Sequence, residues 1–255
     1  MVEDLTLARD LRFAAARGEV TAWFQAQVDV RGGLVVGLEA LSRWHHPRRG
    51  IIQPSEFIPL AEAGGAIDTI GDVMIEAACR YGAALASAGR RIEIAVNVAA
   101  AQLSQRQFAD RVIRHLETFD LPAALLTLEL TESRPSPGAA IGALTGVRAA
   151  GVGVSVDDVR SLAEAATRVS ALPVTELKID RSVIQRLPDD PNGAAELVGF
   201  ARDHGLQSVA EGVETKRQWE AVRELGFDRA QGYLFGRPQT PRQMTARLAA
   251  APTRP

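Results

Sequence analysis

The chain has 255 residues, of which 46% are hydrophobic and 24% charged, so it can build a globular core and is not a disordered chain. With 29 basic and 31 acidic residues its net charge is −2, which excludes a broad basic face for polymeric DNA or RNA. The single cysteine, Cys79, excludes an intrachain disulfide, and no apolar run approaches the roughly 18 residues of a membrane span. Because residues 1–10 also lack the basic start and apolar centre of a secretory signal, we expect a cytoplasmic protein.

Eight short runs of apolar and β-branched residues recur along the chain and are predicted to be β-strands. Only Arg31-Gly32-Gly33 separates the first two runs, which permits an antiparallel hairpin and leaves no room for a helical crossover. In chain order, the predicted strands are residues 21–30, 34–41, 92–97, 126–130, 152–157, 175–179, 207–210 and 227–231.

The segments between the later strands carry helical signals. Apolar residues recur with a period near 3.6 in residues 66–88 and 108–116, Ser55 is a predicted N-cap, and Thr215 with Gln218 fits a capping box. Strands that alternate with helices predict an α/β fold with a mainly parallel sheet. Eight such strands suggest a (β/α)8 TIM barrel with an antiparallel first strand, and a doubly wound open sheet is the alternative. We expect a single barrel domain over residues 1–248 and a flexible C-terminal tail over residues 249–255.

Polar side chains stand at or near the carboxyl ends of seven successive predicted strands. In a barrel, the carboxyl ends of the parallel strands meet at one face, and active sites lie at that face. Each such residue alone is ordinarily a solvated loop residue or a helix cap, but the repetition over seven strands predicts a shared site. The residues are Glu39, Asn97, Glu129, Asp157, Asp158, Lys178, Glu211 and Gln231.

The carboxylates of this set predict a divalent metal site. Crowded carboxylates repel one another and lose hydration, and bound cations offset both costs. Oxygen donors favour hard ions such as Mg²⁺, Mn²⁺ or Ca²⁺, and so many anionic ligands suit two ions better than one. Two ions about 4 Å apart favour in-line attack on a phosphodiester. If Asp157 and Asp158 both remain extended, they point in different directions, and one of them can bridge the ions.

Six short segments resemble a known family in their order and spacing. They are Glu39-Ala40-Leu41, Leu128-Glu129-Leu130-Thr131-Glu132, Asp157-Asp158, Leu177-Lys178-Ile179-Asp180, Ala210-Glu211-Gly212-Val213-Glu214 and Gln231-Gly232-Tyr233-Leu234-Phe235. Each is a weak signal by itself, but together they resemble the EAL domain family over about residues 7–248.

The resemblance implies a modified TIM barrel with an antiparallel first strand, which hydrolyses cyclic di-GMP to linear pGpG with two Mg²⁺ or Mn²⁺ ions. By resemblance, Lys178 and Gln231 position or activate the attacking water, and it stays open whether Glu211 is only a ligand or also accepts a proton. The implied metal ligands are Glu39, Asn97, Glu129, Asp157, Asp158 and Glu211. The implied substrate-binding residues are Gln25, Arg43 and Pro238, with Arg43 matching the phosphate-contacting arginine.

The segment after the aspartate pair departs from the family pattern. Active members usually have Phe-Gly-Thr-Gly-Tyr-Ser-Ser-Leu there, whereas this chain has Val159-Arg160-Ser161-Leu162-Ala163-Glu164-Ala165-Ala166, without either glycine. Glu132 matches the glutamate that anchors this loop in the family, but the usual loop partners of that glutamate are absent. Residues 159–168 are therefore expected to extend the following helix.

Three hypotheses follow for the function. The first is a working or weakened cyclic di-GMP phosphodiesterase, because every implied ligand and the lysine are present. The second is a catalytically silent cyclic di-GMP receptor, because of the altered loop, and the third is a protein-interaction domain. By family analogy we also expect a homodimer and a fused or separate regulatory domain.

Overall fold

The computed structural model describes residues 2–105, 107–130 and 137–250. The predicted loop anchor Glu132 therefore lies outside the described residues, as do residues 251–255 of the predicted tail. The strands in the described part are β1 (Val20–Asp29), β2 (Val35–His46), β3 (Gly50–Ile52), β4 (Glu93–Val98), β5 (Leu126–Leu130), β6 (Gly153–Val159), β7 (Glu176–Ile179), β8 (Gln207–Ala210) and β9 (Arg229–Gln231).

All eight predicted strands are present, and most of their ends lie within two residues of the prediction. The exception is β2, which continues to His46 because its second half pairs with Val20, Thr21 and Ala22 of β1 and with the additional strand β3. Arg43 consequently lies within a strand and not in the loop that follows one.

Helices cover the outside of the sheet. They are α1 (Val2–Ala14), α2 (Pro54–Gly64), α3 (Ile67–Ser87), α4 (Ala100–Leu103), α5 (Phe108–Phe119), α6 (Pro137–Ala149), α7 (Leu162–Ala171), α8 (Arg181–Arg186), α9 (Asn192–Asp203), α10 (Lys216–Leu225) and α11 (Pro241–Ala250). Among the described residues, no helix combines the length and the apolar character that crossing a bilayer requires.

The helix ends confirm one predicted cap and correct two other expectations. Thr215 caps α10 in a capping box with Gln218, as the sequence indicates. Ser55 is not a cap, because α2 begins at Pro54, whose fixed φ suits the first helical position. The predicted tail was wrong for Ala249 and Ala250, because α11 continues through them while its buried residue Leu248 packs into the core.

Eight strands close into a barrel. The sheet order is β1-β9-β8-β7-β6-β5-β4-β2-β3, and a further pairing of β1 with β2 closes the ring. Strand β1 is antiparallel to both β2 and β9, whereas the pairs from β2–β4 round to β8–β9 are parallel. The short turn between β1 and β2, with Gly33 at φ 68°, imposes this direction. The modified TIM barrel is confirmed, and its closure excludes the open sheet.

The core has an apolar outer layer and a polar interior. Leu38, Ile94, Leu126 and Leu128 are buried among helices on the outside of the barrel. The polar interior below the carboxyl rim holds a buried network, in which both Arg229 Nη atoms donate to Glu93 at 2.9 and 3.0 Å. The Arg229 guanidinium also lies 3.5 Å from Glu176 Oε2. Alternation along each strand places these residues and the rim residues on the same inner face.

Candidate active site

Lys178 is the centre of the carboxyl rim. Strand β7 directs its side chain into the barrel, where only 1% of it is exposed. The ammonium Nζ lies 3.0 Å from Glu129 Oε2, 2.9 Å from Asp157 Oδ1 and 2.8 Å from Glu211 Oε1. Three strand ends, those of β5, β6 and β8, therefore deliver carboxylates to one cation, as the sequence predicts.

The rim carries more negative than positive charge. Burial opposes the charge on Lys178, but Asp157, Glu129 and Glu211 outweigh burial and raise its pKa well above the usual value. Burial also raises the pKa of Glu129 despite the attraction of Lys178. Burial, and then repulsion from Asp157, raises the pKa of Glu211. Because these carboxyl pKa values are raised, a further cation that binds at the rim would stabilise it.

The aspartate pair forms a bulge, which corrects the expectation of two extended residues. Asp158 has φ 56°, and the pairing of β6 with β7 shifts register between Val156 and Val159. Carboxylate oxygens of Asp157, Asp158 and Glu211 consequently lie within 4.8 Å of one another. Burial, and then repulsion from Asp157, raises the pKa of Asp158 to about 6. The bulge thus turns two consecutive side chains toward one place, which simple alternation along a strand forbids.

Amide side chains hold Glu39 on the opposite side of the rim. Asn97 Nδ2 donates to Glu39 Oε1 at 2.8 Å, and Gln231 Nε2 donates to Glu39 Oε2. Gln231 Nε2 also contacts Gln25 Oε1 at 3.2 Å, and Gln25 in turn donates to the carbonyl of Gly236. These contacts bring Gln25 together with the predicted rim residues.

The other two predicted substrate-binding residues differ in how far the structure brings them into the site. Arg43 is buried near Glu39 and Tyr233, with its guanidinium carbon 5.4 Å from the centroid of the Trp23 ring, and burial lowers its pKa. Pro238 is half-buried in the segment that runs beside β1, one residue before Gln239, whose backbone pairs with Phe24. The role of Pro238 stays a prediction.

A cavity of about 470 Å³ opens beside the rim. Glu39, Asn97 and Asp158 line it on the rim side, and apolar residues of α2 and α3 such as Ile58 and Met74 form the facing wall. The volume lies in the range of small-molecule sites, and the mixture of an apolar wall with a few polar groups is typical of them.

Sequence reasoning missed three groups that support the rim. Asp180 interacts with Asp158 and accepts a hydrogen bond from Ser182 N at 2.8 Å. Glu176 and Arg229 lie in the buried network beneath the rim, two residues before Lys178 and Gln231 respectively. The two-residue alternation of strands would have placed both on the inner face.

Comparison with known proteins assigns this barrel to a family. The model of the EAL domain matches residues 8–238. The chain belongs to the EAL domain family. Among solved structures, the phosphodiesterase domain of MucR in complex with c-di-GMP matches this EAL domain with a TM-score of 0.84 and 37% identity, over 94% of this chain and 99% of the other. The EAL enzyme Bd1971, bound to cAMP and cyclic-di-GMP, matches with a TM-score of 0.89 and 25% identity, over 97% of this chain and 69% of the other.

Two curated relatives are longer than this EAL domain. The chain is 38% identical over 253 residues to the bifunctional diguanylate cyclase/cyclic di-GMP phosphodiesterase MucR of Pseudomonas aeruginosa, covering 97% of this chain and 37% of MucR. It is 31% identical over 242 residues to the cyclic di-GMP phosphodiesterase RocR of the same organism, covering 93% of this chain and 62% of RocR. The chain therefore spans less than two thirds of the length of either relative.

Proposed function

We propose that this EAL domain hydrolyses cyclic di-GMP to linear pGpG. The observation that carries the proposal is the convergence of the rim carboxylates around Lys178, with Asn97 and Gln231 holding Glu39 beside them. The proposal is supported by family membership and by the relatives MucR and RocR, both named as cyclic di-GMP phosphodiesterases.

Two Mg²⁺ or Mn²⁺ ions are proposed to bind at the rim. Five carboxylates and one ammonium give a formal charge of −4, which two divalent cations would balance. The donors are oxygens, and Glu129 Oε1 is a buried acceptor without a hydrogen-bond partner among the described residues. When bound, such ions offset phosphodiester charge and lower the pKa of coordinated water. The proposed ligands are Glu39, Asn97, Glu129, Asp157, Asp158 and Glu211.

Lys178 is proposed to orient the attacking water and to stabilise the charge that develops on the phosphate oxygens. Its three N–H donors face Glu129, Asp157 and Glu211 in the structure. If these carboxylates held cations, the three donors would be free to bind water and a phosphate oxygen. Burial on all sides fixes the ammonium in place, so little reorganisation accompanies the reaction.

Gln231 and Glu211 are proposed to act on the same water. Gln231 Nε2 is held by Glu39 and Gln25, while Gln231 Oε1 is buried without a partner in the described part of the chain and can accept a hydrogen bond from the water. Glu211 Oε1 lies 2.8 Å from Lys178 Nζ, so a water bound to Lys178 is adjacent to a carboxylate that can take its proton.

The substrate is proposed to lie across the rim and the adjoining cavity. The cavity of about 470 Å³ can accept one guanine base against the apolar wall of α2 and α3. Arg43 is proposed to contact a phosphate, because its side chain is buried near Glu39 and because, within the described part of the chain, one of its N–H groups donates to the Ser42 carbonyl at 2.7 Å and the others have no hydrogen-bond acceptor. Gln25 and Pro238 are proposed to line the nucleotide pocket.

The silent-receptor hypothesis rests on the altered segment after Asp158. That segment nevertheless accommodates a bulge in which Asp157, Asp158 and Glu211 lie within 4.8 Å of one another. This closeness favours the phosphodiesterase over a receptor with a misplaced second ion.

Turnover tests the proposal. Purified protein incubated with cyclic di-GMP and MnCl2 or MgCl2 should yield pGpG, resolved by reversed-phase chromatography. EDTA and Glu39→Ala should each abolish product, whereas Glu220→Ala, which removes an exposed glutamate on α10, should not. Absence of pGpG with retained nucleotide binding would establish the receptor, and absence of both would leave the interaction domain.

Dimerisation, the presence of a regulatory domain and the cellular location are also proposals. A homodimer is proposed by family analogy, and light scattering with and without cyclic di-GMP measures it. A fused or separate regulatory domain is proposed because both curated relatives extend well beyond the matched region. A cytoplasmic location is proposed because the suggested substrate is a bacterial second messenger.

A further inference from the structure

The segment that replaces the glycine-containing loop is a compact turn. Strand β6 ends at Val159, and Ser161 caps α7 by accepting from Glu164 N at 3.3 Å. Glu164 Oε2 in turn accepts from Arg160 N at 3.1 Å. The expected helix over residues 159–168 therefore begins only at Leu162, because Asp158 is left-handed and Ser161 is extended. This turn sets the direction in which α7 leaves the rim.

Arg168, in the second half of α7, points back to the rim. Its Nη1 donates to the Asp157 carbonyl at 2.5 Å, and its Nη2 donates to the Leu130 carbonyl at 2.9 Å. Glu164 Oε1 lies 3.5 Å from the same guanidinium and keeps it on this face of the helix. Only 18% of the Arg168 side chain is exposed. One planar fork thus joins the carboxyl ends of two neighbouring strands.

The two carbonyls lie at the last described pair of β5 with β6 and at the bulge that follows it in β6. Among the described residues, Leu130 and Val156 form the last pair of β5 with β6, and in β6 the bulge at Asp157 and Asp158 follows directly. Leu130 comes one residue after Glu129, so the guanidinium links the backbone beside Glu129 to the backbone of the Asp157–Asp158 pair. A rigid guanidinium with two donors fixes the separation of these carbonyls, which a flexible single ammonium would not.

We propose that Arg168 is a positioning residue that holds Glu129 in register with the Asp157–Asp158 bulge, in place of the glycine-containing loop. The proposal rests on the proposed function, because its effect is on the rim that binds the ions. Arg168 touches backbone carbonyls and Glu164, so it acts through the backbone of the ligand-bearing strands. Residues that orient metal ligands in this way change metal affinity or activity by about 10- to 100-fold when they are replaced.

The test compares Arg168→Met and Arg168→Lys with wild type. The Met variant keeps most of the aliphatic stem and loses both donors, and the Lys variant keeps the charge and one point of contact. Arg186→Met, at an exposed arginine in the last turn of α8, is the matched control. Mn²⁺ affinity is measured by the paramagnetic resonance signal of free Mn²⁺, without substrate, and kcat and KM are measured separately.

Arg168→Met should bind Mn²⁺ about 10-fold more weakly and lose about 10- to 100-fold in kcat, with KM within about twofold of wild type. The Mn²⁺ affinity and kcat of Arg168→Lys should lie between those of Arg168→Met and wild type, and those of Arg186→Met should match wild type. If the Met variant does not fold, the Lys variant decides by the same readouts. Unchanged Mn²⁺ affinity and kcat in a folded variant, beside wild-type turnover, would overturn this inference alone. Failure of the wild-type protein to bind Mn²⁺ or to turn over would overturn the proposed function first.

Discussion

Replacing Lys178 with methionine removes the one ammonium from the barrel rim and leaves the volume almost unchanged. In the structure this ammonium lies within 3.0 Å of three carboxylate oxygens. The side chains of Glu129, Asp157 and Glu211 are 0%, 13% and 15% exposed, so water compensates little for the lost cation. The variant therefore carries buried, uncompensated negative charge whenever divalent cations are absent.

The magnitude follows from the burial of the partners. Removing one member of a buried ion-paired group costs about 3–5 kcal/mol of unfolding free energy. For a domain of this size each kcal/mol lowers Tm by about 2–4 °C, so we expect a fall of about 10 °C without metal.

The sign of the pH dependence follows from the carboxyl pKa values. Glu129 and Glu211 have raised pKa values in the folded state, so they bind protons on folding, and the folded state loses stability as pH rises from their ordinary value of 4.5 toward the raised pKa. Loss of Lys178 raises both pKa values further. The penalty of Lys178→Met should therefore be smallest near pH 5 and larger at pH 8.

Thermal melts in EDTA at pH 5 and pH 8 measure this effect. Lys216→Met, at an exposed lysine in the first turn of α10, is the matched control and should change Tm by no more than about 2 °C. Added Mn²⁺ should restore much of the stability of Lys178→Met without restoring turnover. A Lys178→Met variant as stable as the Lys216→Met control at pH 8 would refute the claim that the crowded rim carboxylates require a cation for stability.

Three further outcomes are expected. Burial raises the pKa of Glu176 to about 7, above its ordinary value of 4.5. Glu176→Gln should therefore gain stability relative to wild type as pH rises from about 4.5 to 7, by up to ~3 kcal/mol of unfolding free energy. Urea titrations across this pH range measure the difference, and a pH-independent difference would contradict the expectation. Arg229→Met strands Glu93 and Glu176 in the interior and should lose about 3–5 kcal/mol of unfolding free energy at pH 8, whereas a neutral effect would show that the network is not a unit. Arg43→Met should raise KM for cyclic di-GMP by about 10-fold or more with kcat changed less, and an unchanged KM would remove Arg43 from the substrate site.

The barrel and its rim were predictable because they depend on order along the chain. The short connection between β1 and β2, residues 30–34, determines the antiparallel start, and the alternating strands and helices that follow produce the parallel part of the closed sheet. Once the strands are parallel, their carboxyl ends must meet, so Glu129, Lys178 and Glu211 converge without any knowledge of coordinates. Strand periodicity would also have placed Glu176 and Arg229 on the inner face, had it been applied to charged residues below the rim.

The bulge and the Arg168 fork were not predictable, because both depend on tertiary contacts. Alternation sends Asp157 and Asp158 to opposite faces, and only the left-handed φ of 56° at Asp158 turns both carboxylates toward Glu211. Arg168 reaches the carbonyl of Leu130, which lies 38 positions away, and that contact depends on where α7 begins and how it packs. Loss of the two loop glycines indicated a change at this point, but not the structure that replaces them.

Anomalous diffraction from a crystal of the protein grown with Mn²⁺ and cyclic di-GMP tests the metal site most directly. Two adjacent Mn²⁺ peaks at the carboxyl rim, next to a phosphate of the nucleotide, are predicted, with oxygen ligands from Glu39, Asn97, Glu129, Asp157, Asp158 and Glu211. Peaks elsewhere on the molecule, or nucleotide bound at a rim that holds no Mn²⁺, would contradict the two-metal account.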